Sequence, residues 1–134
     1  MIIVDTNIIG YLYLTSDRSA QAEQALLKDP QWSAPLLWRS ELRNVLAVYI
    51  RKELLTLLEA QQIMEEASRL MRDREYEVTS HQVLSLVAAS TCSAYDCEFI
   101  ALAKDLDTPL VTIDKQILNQ FPDIAISLEK FIAG

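Results

Sequence analysis

The chain has 134 residues, of which 51% are hydrophobic and only two are glycine. This length and composition fit one compact, helix-rich domain and argue against a disordered or repetitive chain. Nineteen acidic residues against twelve basic ones give a formal net charge of −7, which disfavours binding to a polyanion without excluding it. The apolar start carries Asp5 and Asn7 and no basic segment, so we expect neither a signal peptide nor a membrane span and place the protein in the cytoplasm.

Short apolar strands alternate with helical segments along the chain. The pattern predicts strands near residues 1–5, 32–34, 76–79, 110–113 and 124–127. It predicts helices near residues 7–15, 18–28, 36–51, 56–72, 80–89 and 96–105, with a short one after residue 114. The residues expected to begin or cap helices are Thr6, Asn7, Pro35, Thr56, Ser80 and Asp96. Such alternation predicts an α/β fold with a parallel sheet covered on both faces, as a single domain over residues 1–134.

Two acids follow strands that read as buried. Asp5 ends the run MIIV, and Asp114 ends the run PLVTI. Because the carboxyl ends of parallel strands share one edge of a sheet, where ligands of open α/β sheets bind, both acids are expected at that edge.

Two further acids fall on the apolar faces of predicted helices. Glu41 is spaced with Trp38, Val45 and Val48, and Asp96 shares a face with Phe99, Ile100 and Ala103. A buried carboxylate must meet a cation or strong donors. Salt bridges from Arg39 or Arg43 to Glu41, or a helix cap by Asp96, are the structural alternatives. Four converging acids without an obvious cationic partner instead indicate a divalent metal site and phosphate chemistry.

Four sequence blocks resemble the PIN domain, and among its members the VapC-type toxins of toxin–antitoxin pairs. They are MIIVDTNII at the start, SELxNVL from Ser40, YDCEFIALA from Tyr95 and VTIDK from Val111, in the expected order. The resemblance implies a three-layer α/β/α sandwich with a central parallel sheet. It also implies Mg²⁺- or Mn²⁺-dependent endonucleolytic cleavage of RNA, a homodimer and an antitoxin protein encoded nearby.

Carried over block by block, the resemblance makes Asp5, Glu41, Asp96 and Asp114 the catalytic, metal-binding acids. Thr6, Asn7 and Thr112 would orient them, since Thr112 shares a strand face with Asp114. Two divalent ions would bring the net charge from −7 to about −3.

Other residues carry weaker indications. The candidates for RNA contact are Arg39, Arg43, Lys104 and Lys115, although ordinary solvated charges explain each equally well. Aromatic residues at helical spacing, Tyr11, Tyr13 and Trp38, are core or dimer contacts more often than base-stacking platforms. Cys92 and Cys97 are expected as buried thiols, and His81 as a surface or capping residue.

Other functions of α/β proteins with acids at strand ends fit the sequence less well than a nuclease. A receiver domain requires an acid where Thr79 stands, and an aspartyl-phosphate phosphatase requires one where Asn7 stands. A stand-alone PIN-type RNA-processing nuclease and a non-catalytic RNA- or protein-binding module remain as alternatives. The presence of all four acids favours the enzyme.

Overall fold

The computed structural model describes residues 1–134 and contains a five-stranded sheet in which every pairing is parallel. The strands are β1 (Ile2–Val4), β2 (Trp32–Pro35), β3 (Glu75–Tyr76), β4 (Leu110–Thr112) and β5 (Ala125–Ser127), in the spatial order β3-β2-β1-β4-β5. The eight helices are α1 (Thr6–Tyr13), α2 (Ser19–Lys28), α3 (Leu37–Arg51), α4 (Leu57–Leu70), α5 (Ser80–Ala88), α6 (Ala94–Asp105), α7 (Lys115–Gln120) and α8 (Leu128–Ala133).

Helices cover both faces of the sheet. Every residue of β1 is buried, although successive side chains of a strand point to opposite faces, so each face must be packed against helices. On one side α6 covers β1, β2 and β4 and packs against α5. The other helical group includes α1, α2, α3, α4 and α8, which pack against one another. The predicted three-layer α/β/α sandwich with a central parallel sheet is confirmed.

Helix starts differ in detail from the prediction. Thr56 caps α4 as expected, through a reciprocal capping box with Glu59. Thr79 rather than Ser80 caps α5, and Ser93 rather than Asp96 caps α6. Pro35 ends β2 instead of beginning a helix.

Two other predictions also need correction. The N-cap position of α1 is Asp5, so Thr6 already lies inside the helix. Its hydroxyl donates a hydrogen bond to Glu41 and does not cap the helix. The third strand is only Glu75–Tyr76, because the chain leaves the sheet edge before residue 79. None of the eight helices is both long and apolar enough to cross a membrane.

Candidate active site

All four predicted acids line one open pocket at the carboxyl edge of the sheet. Asp5 directly follows β1 and Asp114 lies two residues beyond β4, and these two strands are neighbours in the centre of the sheet. Glu41 comes from α3 and Asp96 from the first turn of α6. The pocket has a volume of about 500 Å³ and contains no lysine, arginine or histidine among its lining residues.

Asp5 lies at the end of the central strand. Burial raises the pKa of its carboxyl group, and the nearby Asp114 raises it further. The hydroxyl of Thr112 donates a hydrogen bond of 2.8 Å to Oδ2 of Asp5, which opposes that rise. The carboxylate is therefore oriented by a neutral donor and is not neutralised by a cation.

Asp114 begins α7 and is anchored on both sides. Its Oδ1 accepts hydrogen bonds from the backbone N–H groups of Gln116 at 2.8 Å and Ile117 at 3.1 Å. Its own backbone N–H donates to the hydroxyl of Thr112 at 3.0 Å. The capping geometry fixes one carboxylate oxygen and leaves Oδ2 without a hydrogen-bond partner in the protein.

Glu41 lies at the margin of the buried face of α3. Trp38 and Leu42 on this face are fully buried, whereas Val48 is 40% exposed. The buried face of α3 is therefore rotated slightly from the apolar face predicted from the sequence. The hydroxyl of Thr6 donates a hydrogen bond of 2.7 Å to Oε1 of Glu41. Burial raises the pKa of Glu41, the Thr6 bond lowers it, and nearby acids including Asp5 raise it again.

Asp96 does not cap its helix, because Ser93 performs that role by accepting a hydrogen bond of 3.1 Å from the backbone N–H of Asp96. The Asp96 carboxylate is thus not used in capping and borders the pocket. Burial raises its pKa, and the neighbouring charges of Asp114 and Asp5 raise it further. The four acids act on one another electrostatically as a group.

The loop before Asp96 is tied to the helix that begins at Asp114. The side-chain amide of Gln116 donates to the carbonyl oxygen of Thr91 at 2.9 Å and to its hydroxyl at 2.7 Å. Gln120 accepts a hydrogen bond of 2.8 Å from the backbone N–H of Thr91 and donates to its hydroxyl. We call these contacts the Thr91 clamp. It connects the segments that carry two of the acids.

None of the four basic residues predicted near the acids lines the pocket, although Lys115 directly follows Asp114 in the chain. Arg39 forms a bidentate ion pair with Glu75, both distances being 2.5 Å, so it does not neutralise Glu41. Arg43 donates to the hydroxyl of Ser40 at 3.2 Å. Lys104 lies at the opposite end of α6 from Asp96 and does not line the pocket, so its contact with RNA stays a prediction.

The aromatic and polar residues singled out in the sequence differ in whether they are buried or exposed at the pocket. Trp38 is fully buried and donates a hydrogen bond of 2.7 Å to Glu75, which leaves no face for a base. Thr6 and Thr112 are buried, whereas Asn7 is exposed at the pocket wall. Both cysteines are free and buried, as predicted.

Several pocket residues had no role assigned from the sequence. Ser40 and Asn44 flank Glu41 at i−1 and i+3, and Tyr95 precedes Asp96. Glu98 lies near Glu41, and burial raises its pKa. Ser40 and Asn44 are four residues apart and therefore share a side of α3, and this helical spacing beside Glu41 is the sequence signal that could have identified them as pocket residues.

The donor set of the pocket suits a hard divalent cation. Its acidic, hydroxyl and amide side chains offer oxygen ligands, and neither thiol nor imidazole lines it. In their present rotamers no three acids are grouped closely enough to hold one ion. Mutual repulsion and the separate hydrogen bonds to Thr6, Thr112 and α7 account for this spacing.

The fold and the pocket together define an α/β protein with an acidic site at the carboxyl edge of a parallel sheet. The family model for the PIN domain matches residues 2–124, and the chain belongs to this family. The predicted resemblance is therefore confirmed.

Similar proteins support this classification. A curated relative, ribonuclease VapC3 of Pyrobaculum aerophilum, is 28% identical over 124 residues, which are 90% of this chain and 95% of the relative. The crystal structure of PAE2754 from Pyrobaculum aerophilum has a TM-score of 0.77 at 16% identity and covers 98% of this chain and 86% of that one. A toxin–antitoxin complex from Klebsiella pneumoniae has a TM-score of 0.72 at 17% identity, with coverages of 96% and 98%.

Proposed function

We propose that this protein is a metal-dependent endoribonuclease that hydrolyses RNA phosphodiester bonds and acts as the toxin of a toxin–antitoxin pair. The observation that carries the proposal is the pocket itself, which four carboxylates from separate segments line without a basic side chain. Membership of the PIN family, the similarity to ribonuclease VapC3 and the fold shared with a toxin–antitoxin complex support it.

Asp5, Glu41, Asp96 and Asp114 would hold Mg²⁺ or Mn²⁺ in this proposal. When bound, such an ion activates water for in-line attack and offsets the negative charge that develops on the phosphate. The carboxylates must move inward from their present spacing to share an ion. Thr6 and Thr112 orient Glu41 and Asp5 for that role through their hydroxyl groups.

No histidine takes part in the proposed mechanism. The only histidine, His81, is exposed at the start of α5 and does not line the pocket. The four acids would be ionised when they hold an ion, so proton transfer is assigned to water.

The proposed catalytic unit is a single domain over residues 1–134. Beyond the matched residues, β5 pairs with β4, while α8 packs against α2 and β4. The C-terminal segment is therefore integral to the same core. A cytoplasmic homodimer with an antitoxin encoded nearby completes the proposal. In that complex the antitoxin supplies the basic surface that a chain of net charge −7 lacks.

Incubation of the purified protein with end-labelled RNA tests the activity. We expect cleavage in Mn²⁺ or Mg²⁺ and none in EDTA, and we expect Asp96→Asn to lose it. The matched control is Asp123→Asn, which changes an exposed acid before β5, at the opposite edge of the sheet. Equal cleavage by wild type and Asp96→Asn contradicts the proposal. RNA binding without cleavage in any metal identifies a binding module.

A further inference from the structure

A groove between α1 and α3 opens directly from the acidic pocket. Thr6, Asn7 and Val45 line both the pocket and the groove, so the two spaces adjoin. Gly10 lies in the groove lining, and Tyr49 lies beside it. We call this space the Gly10 groove. Its volume is about 160 Å³.

Gly10 is the only glycine inside a helix or strand of this protein. A glycine within a helix lowers its stability relative to alanine. Its φ is not positive, so the backbone does not require glycine. An added Cβ would meet no neighbouring atom within 4 Å, so packing does not require it either. The missing side chain therefore has one local consequence, which is to leave the groove open.

The groove has an uncharged lining next to a pocket that holds four acids. A phosphate group would find no cation there, whereas an uncharged planar group needs none. Tyr11 and Tyr49 supply aromatic surface, and base–aromatic stacking needs no particular sequence. Asn7 is exposed and its amide makes no hydrogen bond within the protein, so it can pair with the edge of a base.

The volume of the Gly10 groove suits a single ring. A cavity of roughly 150 Å³ admits benzene. A pyrimidine is an uncharged heterocycle with one ring, whereas a purine has two and would extend out of the groove. An apolar side chain of a protein partner is the competing occupant, but the polar edge at Asn7 favours a base.

We propose that the Gly10 groove is a base subsite, which holds a pyrimidine of the RNA next to the phosphate that lies in the acidic pocket. This inference rests on the proposed ribonuclease function. It attributes the preference of the enzyme for one RNA base to Gly10 of α1, which lies outside the group of four acids.

Two substitutions test the subsite with RNA as the only ligand. Gly10→Leu fills the groove, and Gly10→Ala adds one methyl group. Ala20→Leu is the control, since Ala20 is exposed on α2 outside both the pocket and the groove. The substrates are oligoribonucleotides that differ only in having a pyrimidine or a purine at each position around one cleavage site.

Wild type and Ala20→Leu should prefer a pyrimidine at one position. Gly10→Leu should lower kcat/KM for that substrate by about fivefold or more, the lower end of the loss of one base–aromatic stack, and should abolish the preference. Gly10→Ala should raise the Tm, because the helix no longer contains a glycine. Unchanged kcat/KM and preference in Gly10→Leu overturn the inference.

A binding measurement separates this inference from the proposed function. Fluorescence anisotropy in the Asp96→Asn background reports RNA affinity without cleavage. Weaker pyrimidine binding by Asp96→Asn/Gly10→Leu than by Asp96→Asn alone supports the subsite even if wild type cleaves no RNA. Equal affinities overturn it, even if wild type is an active nuclease.

Discussion

Thr112 donates a hydrogen bond of 2.8 Å from its hydroxyl to Oδ2 of Asp5, across the boundary between β4 and β1. The hydroxyl oxygen of Thr112 also accepts a hydrogen bond of 3.0 Å from the backbone N–H of Asp114. One fully buried side chain therefore sets the position of two acids on adjacent strands.

Thr112→Val should lower both stability and cleavage. The substitution keeps the shape of the side chain but removes the partner of the half-buried backbone N–H of Asp114, which costs about 1 kcal/mol of unfolding free energy. Asp5 also loses its orienting donor, so kcat should fall. Thr112→Ser retains the hydroxyl and should preserve most of the cleavage. Urea denaturation and RNA cleavage measure the two effects, and full activity in Thr112→Val contradicts the orienting role.

Divalent metal should stabilise the folded protein. An ion that binds only the folded state at one hundred times its Kd adds about 2.7 kcal/mol to the unfolding free energy. We expect calorimetry to show a higher Tm in millimolar Mn²⁺ or Mg²⁺ than in EDTA. Asp96→Asn should reduce this gain, whereas Asp123→Asn should retain it. Identical Tm values for wild type with and without metal count against the metal site.

Metal-free protein should become less stable as the pH rises. Burial raises the pKa values of Asp5, Glu41 and Asp96, so the folded state keeps protons that the unfolded chain has already lost. The contribution of these groups to the unfolding free energy therefore begins to fall near about pH 4. The loss of stability is complete once the pH exceeds the raised pKa values of the folded state.

The pH effect can be isolated with Asp96→Asn in EDTA. This variant should be more stable than wild type at pH 8, because one of the repelling charges is absent. Its advantage should shrink as the pH falls towards about 4, where the acids of wild type are also protonated. Denaturant titrations at several pH values measure the difference. A difference independent of pH would mean that Asp96 is not repelled by its neighbours.

The Thr91 clamp should affect metal binding at a distance. Gln120→Ala removes hydrogen bonds to Thr91 and should lower the unfolding free energy by about 1 kcal/mol. It should also raise the metal concentration needed for half-maximal cleavage, because the clamp holds the segments of Asp96 and Asp114 together. Gln61→Ala changes an exposed glutamine on α4 and is the control. A loss of stability with an unchanged metal requirement would limit the clamp to a structural role.

The arrangement of the acids could be predicted from the sequence because the topology of the parallel sheet determines it. Parallel strands place the residues that follow them at one edge, which predicts a common location for Asp5 and Asp114. Helical periodicity likewise places Glu41 on the face of its helix that packs against the core. These inferences need only local patterns and one rule about sheets.

Contacts between segments that are distant in the chain could not be predicted from the sequence in the same way. The Thr91 clamp joins residues 25 and 29 positions apart through side-chain amides. Arg39 finds Glu75 on an edge strand 36 positions away, and that strand is shorter than its apolar pattern indicates. Such pairings depend on how loops bring elements together, and periodicity carries no information about them.

The central strand of the sheet has a consequence for synthesis of the protein. β1 is made first, but one of its two neighbours, β4, begins only at Leu110, and the last acid of the pocket is Asp114. A ribosome must therefore add Asp114 to the chain before all four side chains can line one pocket. The acidic pocket is therefore a late product of synthesis, because it is incomplete until β4 and the residues that follow it have joined β1.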